Sequence, residues 1–210
     1  MNHKNTPISI ISVGPGNKKY LTLQALDRIN AVELLAGAGR LKGLAGNKDY
    51  IVLNDLVNDA FNVIEQNKNR SIGILVSGDA GFFSLATKII KRFGKNNVEI
   101  IPGISILQAS FAAIKESWPN TITLSFHGKK YISIDLDAYK NKKILLLIDN
   151  INALKGFIYS NAYLLSKYNI YIFQNFSLDD ETVININELS DVETLMDGKL
   201  TTVLMIPKRV

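Results

Sequence analysis

The chain has 210 residues, 47% of them hydrophobic and 20% charged, with a formal net charge of +5. That is enough for a substantial core in one large or two small domains, and the lack of charge blocks or low-complexity tracts excludes a disordered chain. Cysteine is absent, which excludes disulfides, zinc–thiolate sites, iron–sulfur clusters and a cysteine nucleophile. The two histidines, His3 and His127, leave little for a metal site, and none is expected; His3 reads as a mobile tail residue. No apolar run approaches the roughly 20 residues that span a bilayer, and the polar start lacks the apolar stretch of a secretory signal. A cytoplasmic protein with no membrane partner is expected. The basic excess fits either no partner or a polyanionic ligand. Its scattered Lys and Arg, with no RNA-binding aromatic signature, give no reason to expect nucleic acid.

Ile8 to Val13 reads as a buried first strand, ended by Gly14-Pro15-Gly16. Leu21 to Leu35 has helical spacing through Leu23, Leu26, Ile29, Ala31 and Leu34, with Thr22 as N-cap. A dinucleotide fingerprint fails here: Lys19 stands where the third glycine belongs, and Pro15 removes a backbone N–H that a phosphate cradle would use. A short strand over 34–38 and another over 50–53 follow, then a helix over 55–66.

Ile72 to Val76 is a second buried strand, broken by Ser77-Gly78-Asp79-Ala80-Gly81, with helical spacing resuming at Phe82. A glycine turn at the carboxyl end of a buried strand is where open α/β sheets bind small ligands. A single carboxylate among glycines suits a cationic or hydroxyl-bearing ligand. The same turn also reads as a plain loop in which Asp79 caps the helix. The rings of Phe82 and Phe83 are expected in the core.

A strand over 98–101 stops at Pro102-Gly103. A helix over 105–114 opens with Ser105 and Gln108 in capping-box spacing. Lys115 to Asn120 breaks the pattern, and a domain boundary is placed there: 1–116 and 117–210. The second half is richer in strands (121–126, 143–148, 170–173, 182–186, 202–206), with a helix over 152–168 and a weaker one over 136–140. Both halves are α/β.

In order along the chain, Val13-Gly14-Pro15-Gly16, Leu21-Thr22-Leu23, Ser77-Gly78-Asp79-Ala80-Gly81-Phe82-Phe83 and Pro102-Gly103-Ile104-Ser105 resemble the tetrapyrrole methylase family. Ser125-Phe126-His127-Gly128-Lys129 and Leu147-Ile148-Asp149-Asn150 narrow the resemblance to the branch that methylates C5 of cobalt-precorrin-7 in cobalamin (corrin ring) synthesis. It covers nearly the whole chain and is strongest before residue 130. The resemblance implies two α/β domains with the active-site cleft between them, S-adenosyl-L-methionine as methyl donor, a reduced cobalt-tetrapyrrole as substrate, and a homodimer. In some relatives a further methyltransferase/decarboxylase domain follows; here that activity is expected on a separate protein. Four positions depart from the family pattern: Ala80 replaces a proline, Ile106 a serine, Ile148 a threonine, and Gln174-Asn175 a Glu-Asn pair.

The resemblance assigns donor binding to Ser77, Gly78, Asp79, Phe82, Ser105 and Ile106. Asp79 would accept from ribose hydroxyls or the ammonium, Gly78 and Gly81 would let the backbone approach, and N–H groups near Ser105 and Ile106 would hold polar atoms at the helix start. Gly14, Pro15 and Gly16 would line the substrate side. His127 is the candidate for substrate contact or proton handling, or else a hydrogen-bonded residue at a strand end. Arg40, Lys129 and Lys130 are candidates to pair with substrate carboxylates, and Asp149 and Asn150 to cap the following helix. Methyl transfer is an in-line displacement on an already activated carbon, so alignment at about 3–3.5 Å is the largest task. The alternatives are another member of the family (a different corrin carbon, diphthine or ribosomal RNA), a nicotinamide-dependent oxidoreductase, and an inactive tetrapyrrole-binding protein.

Overall fold

Strand β1 (Ile8–Ser12) is buried along its whole length, as a strand covered on both faces must be. It opens the computed structural model of the chain, which describes residues 8–208; His3 lies outside them. After β1 come α1 (Leu23–Ala31), β2 (Leu34–Gly37), a 3-10 turn (Gly39–Ala45), β3 (Asp49–Val52), α2 (Leu56–Gln66), β4 (Ile72–Val76), α3 (Ala86–Phe93), β5 (Val98–Ile101) and α4 (Ile106–Ala113). The five strands form one parallel sheet in the order β3-β2-β4-β1-β5. Alternate side chains feed two apolar layers. Ile8, Ile10, Leu34, Ala36, Ile72 and Ile74 pack with Ala60, Val63 and Ile64 of α2 and with Ile89 of α3. Ile11, Leu35 and Leu75 pack with Ala25 and Ile29 of α1.

The chain leaves β1 toward β2 on one side. It leaves the neighbouring β4 toward β5 on the other. The two loops therefore diverge at the carboxyl ends of β1 and β4, the switch point at which open α/β sheets form ligand crevices.

Two helices differ from their periodicity. Thr22 caps α1 as expected, its Oγ1 accepting from Ala25 N at 3.1 Å. That cap sets a phase in which Ala25 and Ile29 face the sheet, while Leu23 is 81% exposed. The helix ends at Ala31, and Leu34 belongs to β2. Helix α3 begins at Ala86 rather than Phe82. Phe83 adopts a φ of 48°. Ser84 donates to Ala80 O at 2.6 Å and accepts from Ala86 N at 3.0 Å, prolonging the turn.

The chain divides between Ile106 and Leu107 into two compact units. The second contains β6 (Ile122–Ser125), β7 (Ile144–Ile148), α5 (Ile151–Ser160), α6 (Leu164–Lys167), β8 (Tyr168–Gln174), β9 (Thr182–Ile186) and β10 (Thr201–Pro207). Its sheet order is β6-β7-β10-β8-β9, with only β6 and β7 parallel. Its core joins Ile144, Leu146, Leu154, Ile158, Ile172 and Val203. The helix expected over 152–168 is interrupted at Asn161, whose side-chain amide donates to Phe157 O at 2.8 Å; its last residue is already in β8. Residues 136–140 form turns, not a helix, and Leu136 and Tyr139 cover the core from there. Among the described residues no helix is long and apolar enough to cross a membrane.

Candidate functional site

The three glycine turns meet because β4, β1 and β5 are neighbours. Beyond the last ladder bond, Gly14 N donates to Gly78 O at 3.1 Å and Gly78 N to Gly14 O at 2.6 Å. Both glycines have φ of +69°, a region side chains rarely adopt. A Cβ on Gly103 would lie 2.6 Å from Ser12 Cβ and 2.9 Å from Gly78 O, so the third turn is pressed onto the other two. Over Gly78 there is more room: a Cβ there would have Ser105 Cα and Ile106 N at 3.8 Å as its nearest neighbours.

Asp79 ties the turns together. Its Oδ1 accepts from Gly81 N at 2.8 Å and its Oδ2 from Gly103 N at 2.9 Å. It does not cap α3. A carboxylate offers about four lone-pair positions, so two accepted bonds leave capacity, and the residue is half-buried. Ser12, buried at the end of β1, accepts from Ala80 N at 2.9 Å. The sequence reading missed Ser12; its signal was a hydroxyl at the end of an apolar strand, just before the first glycine turn. Ser105 is buried and immediately precedes α4, and Ile106 is that helix's first residue. Ser77 Oγ accepts from Arg40 Nη2 at 2.7 Å. Pro15 and Gly16 are half-buried beside Gly14.

In the second unit His127 follows β6 and Asp149 follows β7. The two strands are parallel neighbours, so both residues emerge at the same edge. Asp149 Oδ2 accepts from Gly128 N at 2.7 Å and lies 3.6 Å from His127 Nδ1. Asn150 alone caps α5, its Oδ1 accepting from Ala153 N at 3.1 Å; Asp149 holds the 127–128 turn instead. Lys129 and Lys130 line a shallow groove of about 390 Å³ with Asp149 and Asp197. Among the described residues no three His, Asp or Glu side chains cluster as a metal site would need.

Residues 7–193 match the model of the Tetrapyrrole (Corrin/Porphyrin) Methylases. The chain belongs to this family. A probable cobalt-precorrin-7 C(5)-methyltransferase of Methanocaldococcus jannaschii is 28% identical over 193 residues, 88% of this chain and 90% of that one. The fold is that of the precorrin-6Y methylase of Archaeoglobus fulgidus, with a TM-score of 0.70 and 18% identity over 98% of this chain and 100% of the other. A diphthine synthase matches nearly as well, with a TM-score of 0.69 and 19% identity over 97% and 90% of the two chains. The fold by itself therefore does not choose the methyl acceptor.

This tetrapyrrole methylase accommodates its departures from the family pattern in different ways. Gln174 is fully buried: its amide nitrogen donates to Met196 O at 2.8 Å and its oxygen accepts from Met196 N at 3.1 Å. A glutamate could not donate the first of these bonds, so the amide is a structural fit. Ile148 is buried in the apolar core of the second unit. Ala80 is buried, and its N–H is the donor to Ser12, a bond that proline would forbid. Phe82 and Phe83 do not enter the core. They pack edge to face at 4.9 Å, and Phe83 is 53% exposed. The prolonged turn carries them away from the inner face of α3.

Proposed function

We propose that the chain is an S-adenosylmethionine-dependent C-methyltransferase of corrin synthesis acting at C5 of cobalt-precorrin-7. The observation that carries this reading is the Asp79 carboxylate spanning two glycine turns at the switch point of the first sheet. The M. jannaschii relative, similar over nearly its whole length, supports the choice of acceptor.

The residues present fit the donor. Asp79 keeps lone pairs for ribose hydroxyls or an ammonium. Gly78 leaves the space above Ser105 and Ile106 free of a side chain. The first N–H groups of α4 carry the partial positive charge of a helix start. S-adenosylmethionine, when bound, supplies a methyl group already activated by its sulfonium. What remains for the protein is to hold the reactants in line and to exclude water. Gly14, Pro15 and Gly16 are assigned to the substrate side, Ser77 and Phe82 to the donor side. His127 is assigned to substrate contact or proton handling, with Asp149 Oδ2 at 3.6 Å from its Nδ1.

Calorimetry with S-adenosylhomocysteine tests the donor site. The wild type is expected to bind, and Asp79→Asn to bind at least tenfold more weakly, because an amide accepts at only one of its two positions. Equal affinity would remove Asp79 from the site. Labelled donor with cobalt-precorrin-7 tests the acceptor: one methyl at C5 is expected, and transfer only to another tetrapyrrole would overturn the choice of ring carbon while leaving the family intact.

A further inference from the structure

Of the four arginines among the described residues, three are neutralised. Arg28 pairs with Glu99 at 2.7 Å, Arg70 with Asp49 at 2.9 Å and Arg92 with Glu65 at 2.8 Å. Arg40 is different. It lies in the 3-10 turn after β2, and its hydrogen bond is to a neutral hydroxyl, Ser77 Oγ. A second group near enough to interact with its charge, Tyr50, is also neutral. Tyr50 donates to Ala38 O at 2.8 Å, and burial pushes its pKa up to about 12. A Cβ on Gly37 would stand 2.7 Å from the Tyr50 hydroxyl, so glycine in that position is what lets the phenol cross the end of β2.

Arg40 retains exposed surface, yet the protein around it desolvates the guanidinium enough to lower its pKa. Among the described residues no carboxylate pairs with this cation, so its guanidinium is open to an anionic ligand. Its fork presents five N–H donors and matches a carboxylate with two parallel bonds. Ser77 directly precedes the Gly78–Asp79 turn, so the free donors stand at the rim of the switch point.

We propose that Arg40 receives a carboxylate of a bound ligand beside the Ser77–Asp79 turn. This rests on the methyltransferase reading, under which two carboxylates are candidates: that of the donor's amino-acid end, and an acetate or propionate on the rim of the tetrapyrrole.

Calorimetry on the full chain separates them, with wild type, Arg40→Gln and Arg40→Lys against S-adenosylhomocysteine, 5′-methylthioadenosine, which lacks the amino-acid end, and uroporphyrin, a ring rich in carboxylates. Loss of a charged, forked contact is worth about tenfold or more in affinity. If the donor carboxylate is the partner, Arg40→Gln weakens S-adenosylhomocysteine by that factor and leaves methylthioadenosine unchanged. If the ring is the partner, uroporphyrin weakens and S-adenosylhomocysteine does not. Either result supports the proposal, with Arg40→Lys falling between wild type and Arg40→Gln. Unchanged S-adenosylhomocysteine affinity with unchanged or absent uroporphyrin binding overturns it, as does loss of all three ligands together, which would mark a structural residue. Failure of the wild type to bind S-adenosylhomocysteine at all would instead sink the methyltransferase reading, and this proposal with it.

Discussion

Tyr50 shows how one residue's environment sets a measurable property. Burial disfavours the phenolate, and the nearby Arg40 charge offsets only part of that. The folded pKa, about 12, lies above the ordinary tyrosine value of 10.0. The group therefore stabilises the fold fully below pH 10 and loses that contribution as the pH rises toward 12. Among the protein's eight tyrosines, it is expected to ionise late in an ultraviolet titration, and Tyr50→Phe should remove a component near pH 12. Removal of a component near pH 10 instead would show that the phenol is solvated. Asp79 was legible as a special carboxylate because it sits alone among glycines. Its partner Gly103 was not, since a bond across 24 residues leaves no local pattern.

The elements that matter most are turns, and they differ in tolerance. At Gly103 an added methyl meets Ser12 Cβ at 2.6 Å and Gly78 O at 2.9 Å. Those neighbours belong to a buried strand end and a backbone turn, and neither can swing aside. Gly103→Ala should cost about 1–3 kcal/mol, as overpacking does. At Gly128 nothing lies within 4 Å, but φ is +70°, so Gly128→Ala should cost only the backbone strain of about 1 kcal/mol. Urea midpoints with unchanged slopes would measure both; equal costs would show that the Gly103 turn yields. The helix expected from Phe82 starts instead at Ala86 for a related reason. Phe82 and Phe83 have helical spacing, but the Ser84 hydroxyl competes for the local backbone and holds the turn open until Ala86.

On the scale of the whole molecule, each unit carries its own sheet and its own core. Strands β1 and β4 are paired on both sides, as are β7, β8 and β10, whereas β3 and β9 are edges. Amide hydrogen exchange should follow that order. Central amides of β1, β4 and β10 should exchange about a hundredfold more slowly than those of β3 and β9, because edge strands open without disrupting a sheet. Uniform protection would contradict this topology.

By itself the sequence determined the alternation of buried strands with helices, the glycine turns at three strand ends and the family, because hydrophobic period and turn chemistry are local properties of a chain. Only the tertiary structure decided that β1 lies between β4 and β5, that Asp79 reaches Gly103, that Asp149 holds the turn beside His127, and that Arg40 alone among the described arginines lacks a carboxylate. Strand order and charge pairing join residues far apart in the chain. They depend on which faces must be buried together, and no local pattern records that.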